Sequence, residues 1–381
     1  MTNHLRAVDV VGGVVRVAGI VDLEPTDGGT VLHRIPAWAR RQHNDLALSL
    51  METMPSGARL QFVTDATCIE LDVDLTLLQM GTEAVRPAAF DLVVDGDVVS
   101  EQATSVGTVI LVDPLTGAVD FRAGGPTMVR FDDLPAVEKQ VEVWLPQGAA
   151  VRLIELRADG EVSPPAVQKK RWVHDGSSIS HCFEATRPTG TWPAVAARLA
   201  GVDLQSFAFA GQCQLDPFIG RMIAAERADL ISLKLGINVV NADTMRERTY
   251  VPAVHGLLDS IREQHRETPI VLITPITCPM AEGRPGPTVP AAGGGYRVVD
   301  RPAALAVGSL DLRRIRQLEA EIVAARQAAG DVNLHLLEGT DLFGPADVGD
   351  LPDGLHPNSD GYRRMGERFH EMAFLRGPFS R

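Results

Sequence analysis

Lysine, paired cysteine and long apolar runs are scarce in this chain, and each scarcity excludes something. Of 36 basic residues only four are lysines (Lys139, Lys169, Lys170 and Lys234), against 49 acidic ones, and the net charge is -13. A chain this acidic lacks the broad basic surface that phosphate neutralisation requires, which argues against nucleic acid as its main partner. Its short basic clusters, Lys169-Lys170-Arg171 and Arg313, Arg314 and Arg316, read as solvated faces. Cys68, Cys182, Cys213 and Cys278 are scattered, with no C-x-x-C pair and no histidine at zinc-site spacing, so reduced thiols serving as small packing residues are expected. Behind Met1-Thr2-Asn3-His4-Leu5-Arg6 there is no long apolar run, hence no secretory signal, no membrane partner and an expected cytoplasmic location. The acidic residues lack metal-ligand spacing, and the glycine run Gly293-Gly294-Gly295 fits no phosphate-binding motif, so no metal and no cofactor is expected.

What is present falls into two halves with different periods. A chain of 381 residues, 45% of them hydrophobic, exceeds what one core usually organises. In the first half Ile69, Leu71, Val73 and Leu75 alternate with Glu70, Asp72 and Asp74, the period-two pattern of a strand with one wet face. Leu92-Val93-Val94 and Val98-Val99 flank Asp95-Gly96, a hairpin signal. Further strands are expected at 14–18, 59–63, 107–112, 127–131, 140–145 and 151–157, a density that suggests an all-β sandwich or jelly roll. Glu161-Val162-Ser163-Pro164-Pro165 interrupts the pattern, because each proline removes a donor and restricts its neighbour. The spacing therefore predicts a β-sandwich domain over 1–162 and a second domain over 163–381.

In that second domain strands near 170–175, 204–209, 229–235, 269–274 and 332–338 alternate with helices near 191–200, 217–227, 251–266, 309–329 and 359–374. This is the pattern of a five-stranded doubly wound α/β unit. Helix 309–329 reads with Ser309 as N-cap, Leu312, Ile315 and Ile322 on one face, and Gly330 just past its end. Segment 276–308 is rich in proline and glycine and too long for an ordinary connection, which leaves a lid and a surface loop both open.

Doubly wound folds bind ligands beyond the carboxyl ends of their strands, and four of the five ends carry candidate chemistry. Strand one runs into Gly176-Ser177-Ser178-Ile179-Ser180-His181. A serine there is either a nucleophile or an ordinary helix cap. Strand two is followed by Ala210-Gly211-Gln212 and strand three by Gly236-Ile237-Asn238, which offer a close backbone N–H and a neutral side-chain donor for an oxyanion. Strand five is followed by Asp353-Gly354-Leu355-His356-Pro357, where a carboxylate can fix the tautomer of a histidine base. Individually each motif can also be read as capping or turn chemistry; their conjunction points to Ser178, His356 and Asp353 as a triad, with the Ser178 and Gly211 N–H groups and Asn238 as the oxyanion hole. An α/β-hydrolase would require G-x-S-x-G, which Gly176-Ser177-Ser178-Ile179-Ser180 does not provide. His174 and His181 flank Ser178 as rival bases, but neither has a carboxylate spaced to orient it.

The order and spacing resemble the SGNH (GDSL-like) hydrolase superfamily over the whole second half, with Ser178, Gly211, Asn238 and His356 at the four block positions. The resemblance implies a three-layer, flavodoxin-like α/β/α fold, and it implies that Ser178 N–H completes the oxyanion hole and that Asp353 orients His356. The chain departs from the pattern at Ser177, where the family name has aspartate, and at Val239, where a second polar residue is usual. Together with a first half carrying Arg34-Ile35-Pro36-Ala37-Trp38-Ala39-Arg40-Arg41, the architecture resembles an acyl-transferring branch of the family. That branch implies an acyl-CoA substrate, salicylyl-CoA in particular, and a hydroxyl of a polyketide natural product as acceptor. An esterase of acylated carbohydrates or small esters is the alternative. The sandwich is expected to wall the site, with sugar binding left open.

Overall fold

The computed structural model describes residues 5–165, 169–291 and 294–380, so the readings on Met1–His4 and on Gly293 fall outside the described residues. The chain divides into two compact units: Met1–Gln168 with Thr186–Gly190 and Leu204–Ser206, and Lys169–Ala185 with Thr191–Asp203 and Phe207–Arg381.

In the first unit the period-two stretches become strands because alternation buries one face. Along Ile69–Met80, Leu71, Val73, Leu75 and Leu77 are buried while Asp72, Asp74 and Thr76 are half-buried. This strand pairs antiparallel with Ala149–Ala158 and Thr127–Phe131 and parallel with Thr108–Val112 inside an eight-stranded sheet. A six-stranded sheet is built around Arg59–Thr64, Lys139–Trp144 and Ala88–Val94. Leu71, Val73 and Val151 of the first sheet and Leu60, Phe62, Phe90 and Val143 of the second share one hydrophobic cluster, so the two sheets bury their apolar faces together. Asp95 and Gly96 join Ala88–Val94 to Asp97–Thr104 with φ of 50° and 97°, both in the left-handed region that a two-residue hairpin turn requires.

Sequence periodicity does not disclose the short strands Arg6–Val8, Asp22–Thr26, Gly29–His33 and Val119–Arg122 or the helices Ala37–Arg40 and Leu46–Thr53. Val119–Arg122 is exposed throughout and has no buried face to create a pattern. The boundary expected at 162/163 falls inside a two-residue strand, in which Val162 and Ser163 pair with Thr64 and Val63.

A separate five-stranded sheet is formed by β1 (Arg171–Gly176), β2 (Asp203–Ala208), β3 (Leu230–Lys234), β4 (Ile270–Ile273) and β5 (Leu334–Leu337), ordered β2-β1-β3-β4-β5. The pairs β1/β3, β3/β4 and β4/β5 are parallel. This doubly wound order reverses direction between β1 and β3, which places a ligand crevice at their carboxyl ends. The connecting helices are α1 (Ser178–His181), α2 (Trp192–Ala200), α3 (Pro217–Ala225), α4 (Ile237–Ala242), α5 (Glu247–Arg262), α6 (Leu312–Ala328) and α7 (Ser359–Phe369). Trp172 of β1 stacks on Phe369 of α7 with ring centroids 5.2 Å apart, and Trp192 of α2 meets the same ring edge-on, fixing both helices against the first strand.

Two local expectations are corrected. Helix α6 is capped by Asp311, whose side chain accepts from Arg314 N, and not by Ser309; an aspartate two residues later is nearer the first turn. The basic clusters are not solvated faces throughout: Arg316 binds both oxygens of Glu282 at 2.7 Å as well as the Pro275 and Ile276 carbonyls, and Arg171 binds Asp203. Segment 276–308 folds into a small hairpin, Thr288–Pro290 against Tyr296–Val298, anchored by Thr288 Oγ1 on Asn241 and by an ion pair between Arg301 and Asp243.

Candidate active site

Strand β1 ends at Gly176, where a Cβ would lie 2.6 Å from Ser180 Oγ; only glycine lets α1 fold back so sharply. Two adjacent hydroxyls then divide the work. Ser177 is extended and its Oγ accepts from Ile179 N, so it is Ser177 that caps α1. Ser178 is the first helical residue, and its Oγ is left to bond His356 Nε2 at 3.0 Å.

The loop after β5 supplies the rest of the chain. Asp353 Oδ1 accepts from Leu355 N at 2.8 Å and His356 N at 2.7 Å, tying the carboxylate into its own turn. Asp353 Oδ2 takes the Nδ1–H of His356 at 2.7 Å, which fixes the tautomer and leaves Nε2 as an acceptor facing Ser178. Burial pushes the Asp353 carboxyl up, but the bonds from His356 and the two amides outweigh it and hold the group below its ordinary value. The sequence therefore named three residues that the fold joins in one hydrogen-bonded series, Asp353 to His356 to Ser178.

Gly211 and Asn238 stand on the neighbouring strand ends. Gly211 has φ of 75° in the loop after β2. Asn238 lies in the first turn of α4 behind Gly236, whose φ is 91° and where a Cβ would meet Ile315 Cγ2 at 2.5 Å. The Asn238 amide oxygen accepts from Cys213 N at 3.0 Å, which turns the NH2 end into the available donor. Gln214 ties the two loops together, its Nε2 donating to Gly211 O at 3.4 Å and Asn238 O at 3.3 Å. A narrow apolar recess lined by Ile179, Ile237, Ile276 and Leu355 adjoins these residues.

The rival histidines stand differently. Both are fully buried. His174 lies among Trp172 and Trp192, its Nδ1 bonded to Ser232 Oγ at 2.7 Å, while that oxygen accepts from Trp172 Nε1. Burial first, and then the charge of Lys234, push its pKa down to about 3, so it is neutral at pH 7 and packs as a core ring. The unfolded chain binds this proton near pH 6.5 and the folded chain does not, so stability falls with pH over the window from about 6.5 to 3. The slope from this one group is up to about 1.4 kcal/mol per pH unit. His174→Gln is expected to flatten the fall in urea midpoint between pH 7 and 5, and an unchanged slope would show that other groups carry it.

Sequence reasoning missed two neighbours of His356, Glu184 and Tyr296, and the residue that holds the first of them, Tyr362. Glu184 Oε1 lies 3.5 Å from Nδ1, Tyr362 OH bonds Glu184 Oε2 at 2.8 Å, and Tyr296 packs edge-on to the imidazole at 5.8 Å. Tyr296 comes from the hairpin of segment 276–308, which thus forms part of the wall around His356. No local motif marks Glu184 and Tyr296, because each reaches His356 from another part of the chain. Among the described residues no group of three His, Cys, Asp or Glu side chains is placed to hold a metal ion. No helix among them is long and apolar enough to cross a membrane. The four cysteines are buried free thiols.

A doubly wound sheet with this serine, histidine and aspartate at its strand ends defines the SGNH class of serine hydrolases and acyltransferases. Comparison with known proteins agrees: residues 176–364 match the GDSL-like Lipase/Acylhydrolase family. Among solved structures, the salicylyl-acyltransferase SsfX3 from a tetracycline biosynthetic pathway is similar at 27% identity and a TM-score of 0.80, over 97% of this chain and 97% of that one. A GDSL-like lipase from Bacteroides ovatus is similar at 18% identity and a TM-score of 0.67, covering 96% of each chain. A family two carbohydrate esterase from Clostridium thermocellum is similar at 13% identity and a TM-score of 0.61, over 95% of this chain and 98% of that one. The last two likenesses are of fold. No curated protein sequence matches the chain.

Proposed function

We propose that this protein is a serine-dependent acyltransferase. It carries an acyl group, salicylyl being the first candidate, from a CoA thioester through an ester on Ser178 to a hydroxyl of a polyketide natural product. The observation that carries the reading is the bonded series Asp353, His356 and Ser178 in a chain whose full length resembles a salicylyl-acyltransferase. In the first half-reaction His356 takes the Ser178 proton as Oγ attacks the thioester carbonyl. The carbonyl oxygen, now negative, is held by Ser178 N–H, Gly211 N–H and Asn238 Nδ2. The intermediate then collapses and His356 returns the proton to the departing thiolate, giving CoA–SH. In the second, His356 deprotonates the acceptor hydroxyl, and the ester oxygen of Ser178 leaves with that proton. We assign the N-terminal unit to the β-sandwich (jelly-roll) class.

Hydrolysis is the second reading, favoured by the family that residues 176–364 match. Its substrates would be acylated carbohydrates or small esters. Intact mass after incubation with salicylyl-CoA is expected to show Ser178 acylated, and adding a polyketide alcohol should yield its ester. Release of free salicylate alone, with acceptor present, would favour the esterase; no labelling of Ser178 by a fluorophosphonate would refute both.

A further inference from the structure

We propose that Glu184 is a second carboxylate serving His356, a positioning residue that works beside Asp353. The inference rests on the reading of Ser178 as nucleophile and His356 as base. Both carboxylates converge on one atom: Asp353 Oδ2 lies 2.7 Å and Glu184 Oε1 3.5 Å from His356 Nδ1. Asp353 takes the hydrogen bond, and at 3.5 Å Glu184 acts through its charge. That charge matters when the imidazole accepts the Ser178 proton and becomes a cation.

Glu184 is held for this role. It stands in the turn after α1, three residues beyond His181, and Tyr362 of α7 donates its hydroxyl to Oε2 at 2.8 Å, leaving Oε1 toward the imidazole. Tyr362 is fully buried; burial, followed by the charge of Glu184, holds its phenol well above the ordinary value, so it stays a donor at every working pH. Cys182 and Cys278, the nearby thiols, are likewise pushed up by burial and stay neutral, so the charge facing Nδ1 is that of the two carboxylates. The side chain of Glu184 is 16% exposed and that of Asp353 28%, so solvent screens the more distant carboxylate less.

The test compares Glu184→Gln, Asp353→Ala and the double variant for the rate of Ser178 acylation by an activated ester and for the pH dependence of kcat/KM. Removing a negative charge beside an imidazolium lowers its pKa, so Glu184→Gln is expected to shift the acidic limb to lower pH and slow acylation about 3- to 10-fold. In the Asp353→Ala background the same change should cost at least about tenfold more, because the only remaining carboxylate is lost. Glu184→Asp should restore the limb in part, and Tyr362→Phe, which keeps both charges, should shift it less. An acidic limb unmoved in Glu184→Gln, together with a double variant no slower than Asp353→Ala, overturns the proposal. A uniform loss across all Glu184 variants that tracks a lowered melting temperature also overturns it, since that is what a structural role gives. Parent protein that a fluorophosphonate fails to label would instead refute the catalytic reading of Ser178, so the two failures are distinguishable.

Discussion

Replacing His356 by alanine is expected to slow acylation of Ser178 by about 10⁴-fold or more, and Ser178→Ala should abolish the covalent intermediate. A serine hydroxyl is a poor nucleophile until a base receives its proton, and His356 Nε2 is the base in place, 3.0 Å from Oγ. The two changes should be strongly non-additive: the double variant should lose no more activity than the worse single one, because base and nucleophile act as one unit. Ser178→Ala removes one hydrogen bond and should change stability by only about 1 kcal/mol, so inactivity would not be unfolding. Time-resolved intact mass with an activated ester measures the acylation, and a His356→Ala rate within tenfold of the parent would show that the base lies elsewhere.

The second large effect is expected at Asn238. Removing a side-chain donor to an oxyanion costs about 10²- to 10³-fold in kcat, or about 3–4 kcal/mol, with little change in KM. Asn238→Ala also strips the Cys213 N–H of its acceptor, a stability cost of about 1–3 kcal/mol that could be mistaken for the catalytic one. Asn238→Asp separates them. Its carboxylate can still accept from Cys213 N, so the fold recovers, yet it presents a negative charge where a donor is required. The aspartate variant should melt closer to the parent and react no faster than the alanine variant. If Asn238→Asp kept parental activity, Asn238 would be a structural link between two loops and no part of an oxyanion hole.

Particular elements show which parts of this site were legible before folding. Asp353 and His356 are three residues apart, and their bond forms inside one turn braced by Leu355 N and His356 N, so spacing alone exposes it. The glycine at 176 is similarly readable, since a strand entering a helix at that angle has no room for a Cβ. Gly176-Ser177-Ser178 offers two hydroxyls, and resemblance to a family selects the second; the fold supplies the reason, since Ser177 is used as the cap. His174, flanking the same serine, is kept neutral by an aromatic core that no local pattern describes. Asp311 and not Ser309 caps α6, because two capping residues stand close together and it is the Asp311 side chain that accepts from Arg314 N.

The sequence by itself determined what depends on a few consecutive bonds: the change of period near residue 162, the hairpin at Asp95-Gly96, the five strand-and-helix alternations and the Asp-x-x-His turn. Dihedral preference, hydrogen bonding within a turn and the facing of apolar residues all act over such distances and leave their mark in spacing. Only the tertiary structure decided that Ser178 Oγ meets an imidazole 178 positions away, that Tyr296 walls it, and that Glu184, fixed by Tyr362, approaches the same nitrogen as Asp353. Those meetings follow from the order β2-β1-β3-β4-β5 and from which side chains its burial desolvates, and neither is a property of any short stretch of chain.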